Sequence, residues 1–216
     1  MENLYCISGL GADERIFKKL QIDNVNMVHI PWPEYDVYDE MGCYAQKIAA
    51  LIPEENPMVL GLSFGGMMTI ELTKLMPLKK AIIVSSAKTK AELQPPSWIV
   101  KKALVSQILP SFIYKMTNSV MYNMFGAHTE EEKELLKSIL KDSDGYFVRW
   151  AMKSILEWQN MTLPQDVTHI HGTADQIIPP DKIEASYWIE GGTHMMVYNR
   201  AKEISEIINK EISYLL

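Results

Sequence analysis

Two cysteines in 216 residues are too few for a disulfide framework. Cys6 falls in a predicted strand and Cys43 in a predicted helix, and both read as buried free thiols. Basic tracts are also missing: 21 Lys and Arg stand against 27 Asp and Glu, a net charge of −6. That balance argues against nucleic acid or an anionic membrane as the main partner. No apolar run approaches the length of a bilayer span. The opening Met1-Glu2-Asn3-Leu4 has no basic segment, apolar stretch or small-residue cleavage site, so no secretory signal is read. With the cysteine usage, this points to the cytoplasm. Repeats, linkers and low-complexity segments are absent. What is there is the composition of a globular chain, 47% hydrophobic and 22% charged, long enough for one domain with an insertion.

The most informative stretch is Gly61-Leu62-Ser63-Phe64-Gly65-Gly66, which follows the apolar run Pro57-Met58-Val59-Leu60 and precedes a predicted helix over 67–76. Strand, G-x-S-x-G, helix is the pattern of a nucleophile elbow. A serine at the tip of so sharp a turn has strained backbone angles, and Cβ atoms at Gly61 and Gly65 would collide there. The turn also sets the serine at the N-terminus of a helix, beside the free N–H of Phe64. A glycine-rich turn with a buried structural serine would have the same three residues, so the rest of the chain must supply a base, an acid and a second oxyanion donor.

Upstream, residues 3–7 form a nearly continuous apolar strand, as a sheet covered on both faces requires. It runs into Ser8-Gly9-Leu10-Gly11-Ala12-Asp13, with Asp13 as the cap of a helix carrying Ile16, Phe17 and Leu20. A strand over 25–30 ends at Pro31-Trp32-Pro33. Met41, Tyr44, Ala45, Ile48 and Ile52 then keep a helical period. A fourth strand follows over 80–85. Strands and helices alternating with short connections predict a parallel sheet. The alternation then stops: 96–109, 110–125, 129–141 and 144–159 all read as helical, with capping-box spacing at Thr129 to Glu132. This block, 88–163, reads as a helical lid inserted into a core made of 1–87 and 164–216. Its aromatic and methionine side chains, Trp98, Phe112, Tyr114, Met116, Met121, Tyr122, Met124, Phe125, Phe147, Trp150, Met152 and Trp158, read mostly as lid core, the remainder as lining for an apolar acyl pocket. Strands over 167–172 and 185–189 and an amphipathic helix from Ala201 to Leu215 close the chain.

In a doubly wound sheet, functional groups gather at the carboxyl ends of the strands. The loops there present Ser8 to Gly11, Ser63, Asp175 and His194. The chain order Ser, Asp, His is one of the known orders of a catalytic triad. Serine is a weak nucleophile until a neutral imidazole takes its proton, and a carboxylate must fix the tautomer and balance the imidazolium. Of the five histidines, His194 sits on a glycine-rich loop before the last helix, where it can serve as base. His29 lies in a strand, His128 in the lid, and His171 reads as a loop-packing residue. His169 and His171 share a strand face near Asp175, but no further ligand cluster accompanies them, so no metal and no cofactor is expected. Asp175 is the acid, because the loop after the fourth strand, Ser85-Ser86-Ala87-Lys88, offers no carboxylate. Leu10 and Phe64 supply the backbone N–H groups of an oxyanion hole.

Ser8 to Asp13, Gly61 to Gly66, His171-Gly-Thr-Ala-Asp175 with Ile178-Pro179, and Gly191-Gly-Thr-His194 together resemble the α/β hydrolases. The similarity is to small lid-bearing carboxylesterases of the pimeloyl-carrier-protein methyl ester esterase type, and it covers the chain outside the lid. It implies an α/β fold, a doubly wound, mostly parallel sheet of about six strands with an inserted helical lid. It also implies a hydrolase acting on a small-molecule ester or thioester of a small or medium apolar acyl group. Carbon–carbon bond hydrolysis by the same triad and a non-catalytic or single-turnover ligand sensor are the alternatives. Two departures mark the chain: Ser8 stands where family members usually have His, and the two antiparallel strands that often open the fold are missing.

Overall fold

A computed structural model of the chain describes residues 1–93 and 118–215. The expected helix over 96–109 with Trp98, and the first part of that expected over 110–125 with Phe112, Tyr114 and Met116, lie outside the described residues. Strands β1 (Glu2–Ile7), β2 (Val25–His29), β3 (Met58–Leu62), β4 (Lys80–Val84), β5 (Val167–Gly172) and β6 (Tyr187–Ile189) form a sheet of order β2-β1-β3-β4-β5-β6. Every pair is parallel. Between β2 and β3 runs α1 (Met41–Ala49), and between β3 and β4 runs α2 (Phe64–Leu72). Helices α3 (Ser119–Phe125), α4 (Glu130–Asp142) and α5 (Gly145–Glu157) lie between β4 and β5, and α6 (Met196–Asn199) and α7 (Ala201–Ile212) follow β6.

The apolar strands explain the two layers of helix. Successive side chains leave a strand on opposite faces, so Leu4 and Cys6 join a core with Leu60, Ile82, Ile170 and the Ile204, Ile208 and Ile212 stripe of α7. Tyr5 and Ile7 join the opposite core with Val59, Ile83, Tyr44, Ile48 and α2. All nine residues of α2 are buried, as an apolar helix wedged between a sheet and a second helix must be. The inter-strand segment contributes to both faces. Leu136 and Ile139 of α4 fall in the α7-side core and Trp150 of α5 in the other, its ring 4.5 Å from that of Tyr44. Phe147, Trp150 and Trp158 therefore pack on α1 and α2 rather than only on one another. Thr129 and Glu132 close the capping box at the start of α4. The stems of the segment are tied together: Lys90 N–H donates to Asn160 O at 2.7 Å, and Asn160 Nδ2 donates to Lys88 O at 2.6 Å.

Several expectations need correction. Cys6 is buried, its thiol pushed up to about 12 by burial, but Cys43 is exposed. The buried face of α1 is Met41, Tyr44, Ala45 and Ile48, and at about 100° per residue position 43 turns to solvent. The helix expected after Asp13 is only a 3₁₀ turn, Glu14–Phe17, with Asp13 capping it through the Arg15 N–H. The terminal helix is shorter than expected, ending at Ile212, and the separate short α6 precedes it.

Candidate active site

The strand order reverses at β1: the chain leaves it for β2 on one side and returns to β3 on the other. The loops leaving the carboxyl ends of β1 and β3 therefore diverge and open a crevice between them. Ser63 stands there, between β3 and α2, at φ 52° and ψ −118°, a conformation that a side chain with Cβ holds only under strain. The surroundings over-determine it. Ser63 N–H donates to Val84 O (2.9 Å), and Ser63 O accepts from Gly66 N–H (2.9 Å) and Ser86 Oγ (2.7 Å). The glycines have the steric reason expected of them. A Cβ on Gly61 would sit 2.4 Å from Gly65 O, and one on Gly65 would sit 2.2 Å from Ile7 O. The elbow is thus pressed onto the end of β1. A Cβ on Gly9 would be 3.4 Å from Ser63 Cβ, so the β1 loop runs directly beside the serine. Ser8, the departure noted above, fixes that loop by donating its hydroxyl to Ala12 O at 2.7 Å.

Asp175, in the loop after β5, is 2% exposed. Its Oδ1 accepts the N–H groups of Ile177 and Ile178, each at 2.9 Å. Its Oδ2 lies 2.8 Å from His194 Nδ1. Burial alone would raise its pKa. The charge and hydrogen bond of His194 and the Ile178 N–H outweigh burial, and the carboxyl lies below its ordinary value. The loops after β5 and β6 touch along their backbones: Ala174 N–H donates to Gly192 O (2.9 Å), and Gly191 N–H to Thr173 Oγ1 (2.8 Å). From the second of these loops His194, 6% exposed, sets Nε2 at 2.9 Å from Ser63 Oγ. A carboxylate can only accept, so Nδ1 carries the proton and Nε2 is free to accept from the serine.

The structure therefore brings Ser63, His194 and Asp175 into one hydrogen-bonded chain, with Leu10 in the adjoining loop and Phe64 as the first residue of α2. An N–H in the first turn of a helix has no intrahelical acceptor. Three of the remaining histidines stand apart from that chain. His29 is half-buried in β2 and His128 exposed. His169 is fully buried, and burial pushes it down to about 3. Among the described residues, no group of three or more His, Cys, Asp and Glu could hold a metal ion, and no helix is long and apolar enough to cross a membrane.

Three contacts were not read from the sequence. Ser86 holds the elbow carbonyl from the loop after β4, and nothing in the local pattern marks it. Phe125, at the end of α3, lays its ring 5.7 Å from that of His194 and accepts the Met195 N–H on its carbonyl at 3.0 Å. His171 donates to a carbonyl of the Asp175 loop, although the sequence assigned it only to packing. A cavity of about 450 Å³ is lined by the end of the β1 loop at Gly11 and Ala12 together with Trp32, Tyr35, Asp144 and Phe147.

No protein-family model matches the sequence. No curated protein matches it. Solved structures do match in fold. A lipase-esterase related protein from Clostridium acetobutylicum aligns over 98% of this chain and 94% of its own at TM-score 0.70 and 17% identity. A bromoperoxidase from Bacillus anthracis aligns over 98% and 92% at TM-score 0.71 and 14% identity. A meta-cleavage product hydrolase from Pseudomonas fluorescens aligns over 100% and 92% at TM-score 0.69 and 14% identity. The chain has the α/β-hydrolase fold. Structures with such different names on one architecture are a reminder that the fold does not choose the reaction.

Proposed function

We propose that the protein is a serine hydrolase that cleaves a carboxylic ester or thioester through an acyl-enzyme on Ser63. One observation carries the reading: the hydrogen-bonded chain from Asp175 Oδ2 through His194 to Ser63 Oγ, at 2.8 and 2.9 Å, ending on a serine in a strained turn. As Oγ attacks the substrate carbonyl, its proton passes to His194 Nε2, and Asp175 balances the imidazolium. The oxyanion is received by the N–H groups of Leu10 and Phe64. His194 then gives the proton to the departing alcohol or thiol, leaving an acyl group on Ser63. Water, deprotonated by His194, attacks that acyl carbon and releases the carboxylic acid and the free serine.

Residues 88–163 act in this reading as a lid on a core of 1–87 and 164–216. Phe125, whose ring lies beside that of His194, and the partly buried Met121 and Tyr122 on the same helix favour a small or medium apolar acyl group. The substrate is a small molecule, and free thiols at Cys6 and Cys43 suit a reducing cytoplasm. The test is hydrolysis of 4-nitrophenyl esters of increasing acyl length and of the matching thioesters. Turnover should be present in the wild type and fall to the uncatalysed background in Ser63→Ala. Turnover that persists in the alanine variant would refute the mechanism. Folded wild-type protein that binds esters without product would favour the ligand-sensor alternative.

A further inference from the structure

We propose that His171 is a positioning residue for Asp175, acting through the Ile178 peptide; the proposal rests on the reading of Asp175, His194 and Ser63 as a catalytic chain. His171 lies on β5 with its ring wholly buried, edge to face against His169 at 5.2 Å and Trp188 at 5.8 Å. Its Nε2 is 2.9 Å from Ile178 O and 3.9 Å from Asp175 Oδ2. Its Nδ1 is buried and has no hydrogen-bond partner among the described residues. A carbonyl only accepts, so Nε2 carries the hydrogen. Burial disfavours the charged ring, more than the Ile178 carbonyl and Asp175 favour it, so His171 is the neutral Nε2–H tautomer.

For packing alone this is a poor choice. A buried imidazole leaves Nδ1 without a partner, at a desolvation cost that leucine or phenylalanine would avoid. What only the imidazole supplies is the one N–H donated to Ile178 O. That carbonyl belongs to the residue whose own N–H holds Asp175 Oδ1. Strand β5 is thus linked to the carboxylate by a short path: His171 to Ile178 O, Ile178 N–H to Oδ1, and Oδ2 to His194. Pro179 makes the path stiff, because a residue before proline is confined to extended angles. Ile178 cannot swing its carbonyl elsewhere while keeping its N–H on Asp175. Without the His171 donor the carbonyl is left unpaired in a buried place, and the loop relieves this by turning, which takes Oδ2 off the line to Nδ1.

Three proteins test this: wild type, His171→Leu, which removes the N–H, and His171→Gln, whose amide nitrogen reaches about as far as Nε2. On 4-nitrophenyl butyrate, His171→Leu should lose about ten- to a hundredfold in kcat with KM within about twofold, the signature of a misplaced catalytic group. His171→Gln should recover most of that loss. Should the leucine variant not fold, His171→Asn, one methylene too short, takes its place with the same expectation. Wild-type kcat in the leucine or asparagine variant, or a glutamine variant no faster than they are, would overturn the proposal. If the wild type itself neither turns over ester nor reacts with a fluorophosphonate, it is the hydrolase reading that fails. The placement of Asp175 is still read then from the far-downfield proton resonance of His194 Nδ1–H. That resonance should move in the leucine variant and return with glutamine, and an unchanged resonance would refute the positioning role.

Discussion

Asp175→Asn is the sharpest perturbation, because the surroundings of the carboxylate dictate which way the amide must sit. Oδ1 accepts two backbone N–H groups, from Ile177 and Ile178, so an asparagine has to keep its oxygen there. Its NH₂ then occupies the Oδ2 position, 2.8 Å from His194 Nδ1. Two donors cannot face each other, so the ring responds by giving up the Nδ1 proton and carrying it on Nε2. In that tautomer Nε2 donates towards Ser63 Oγ instead of accepting from it, and the base is lost although every heavy atom stays in place. In a serine protease the same exchange costs about 10⁴ in kcat, equivalent to about 5.5 kcal/mol at 1.36 kcal/mol per decade. We expect a loss of the same order here, with KM for 4-nitrophenyl butyrate little changed and a near-wild-type melting temperature. The assay is steady-state ester hydrolysis alongside the rate of fluorophosphonate inactivation, both of which should fall together. An asparagine variant within tenfold of wild type in kcat would refute the assignment of Asp175 as the residue that sets the His194 tautomer.

Gly126→Ala should disturb His194 from the α3 side. A Cβ there would lie 2.1 Å from Thr193 Oγ1, at a backbone φ of +78° that alanine disfavours, so about 1–3 kcal/mol of stability should be lost. Urea denaturation and fluorophosphonate labelling should both register it, and a wild-type midpoint would contradict the packing described. Glu211 provides a pH test remote from the site. Burial raises its pKa, but hydrogen bonds from Lys80, Thr168 and Tyr187 outweigh that and bring it to about 2. A carboxylate depressed in the folded state adds stability above its unfolded value of about 4.3, and that stability is lost as pH falls towards the folded value. Between about pH 4.5 and 2 the wild type should therefore lose more stability than Glu211→Gln, measured as the urea midpoint across that range. Equal losses would show that the three hydrogen bonds do not hold the carboxylate.

Much of this architecture was legible because it is written in local pattern. Continuous apolar strands such as Tyr5 to Ile7 can only belong to a sheet covered on both faces. Gly61 and Gly65 stand where a Cβ meets backbone oxygen. Ser63, Asp175 and His194 were singled out by their places after β3, β5 and β6, and the sheet order brings those places together. What the pattern could not carry depends on partners far along the chain. Cys43 sits in an apolar-looking helix, yet the period turns it outward. Ser86 and Phe125 look ordinary in sequence, and their contacts with Ser63 O and the His194 ring come from the docking of other elements. His171 was noticed as part of a motif. Its bond to Ile178 O became visible only once the loop had folded back onto β5. Helices α4 and α5 were expected from the sequence, α4 with its capping box, but not that they would divide between the two faces of the sheet.

The measurement that bears most directly on the central claim is intact-mass analysis of the protein after treatment with a fluorophosphonate, beside Ser63→Ala and His194→Ala. We predict one adduct per chain in the wild type, none in the serine variant, and a reaction slowed by orders of magnitude without the histidine. A folded wild type that stays unmodified, or an adduct that survives Ser63→Ala, would contradict an activated nucleophile at Ser63.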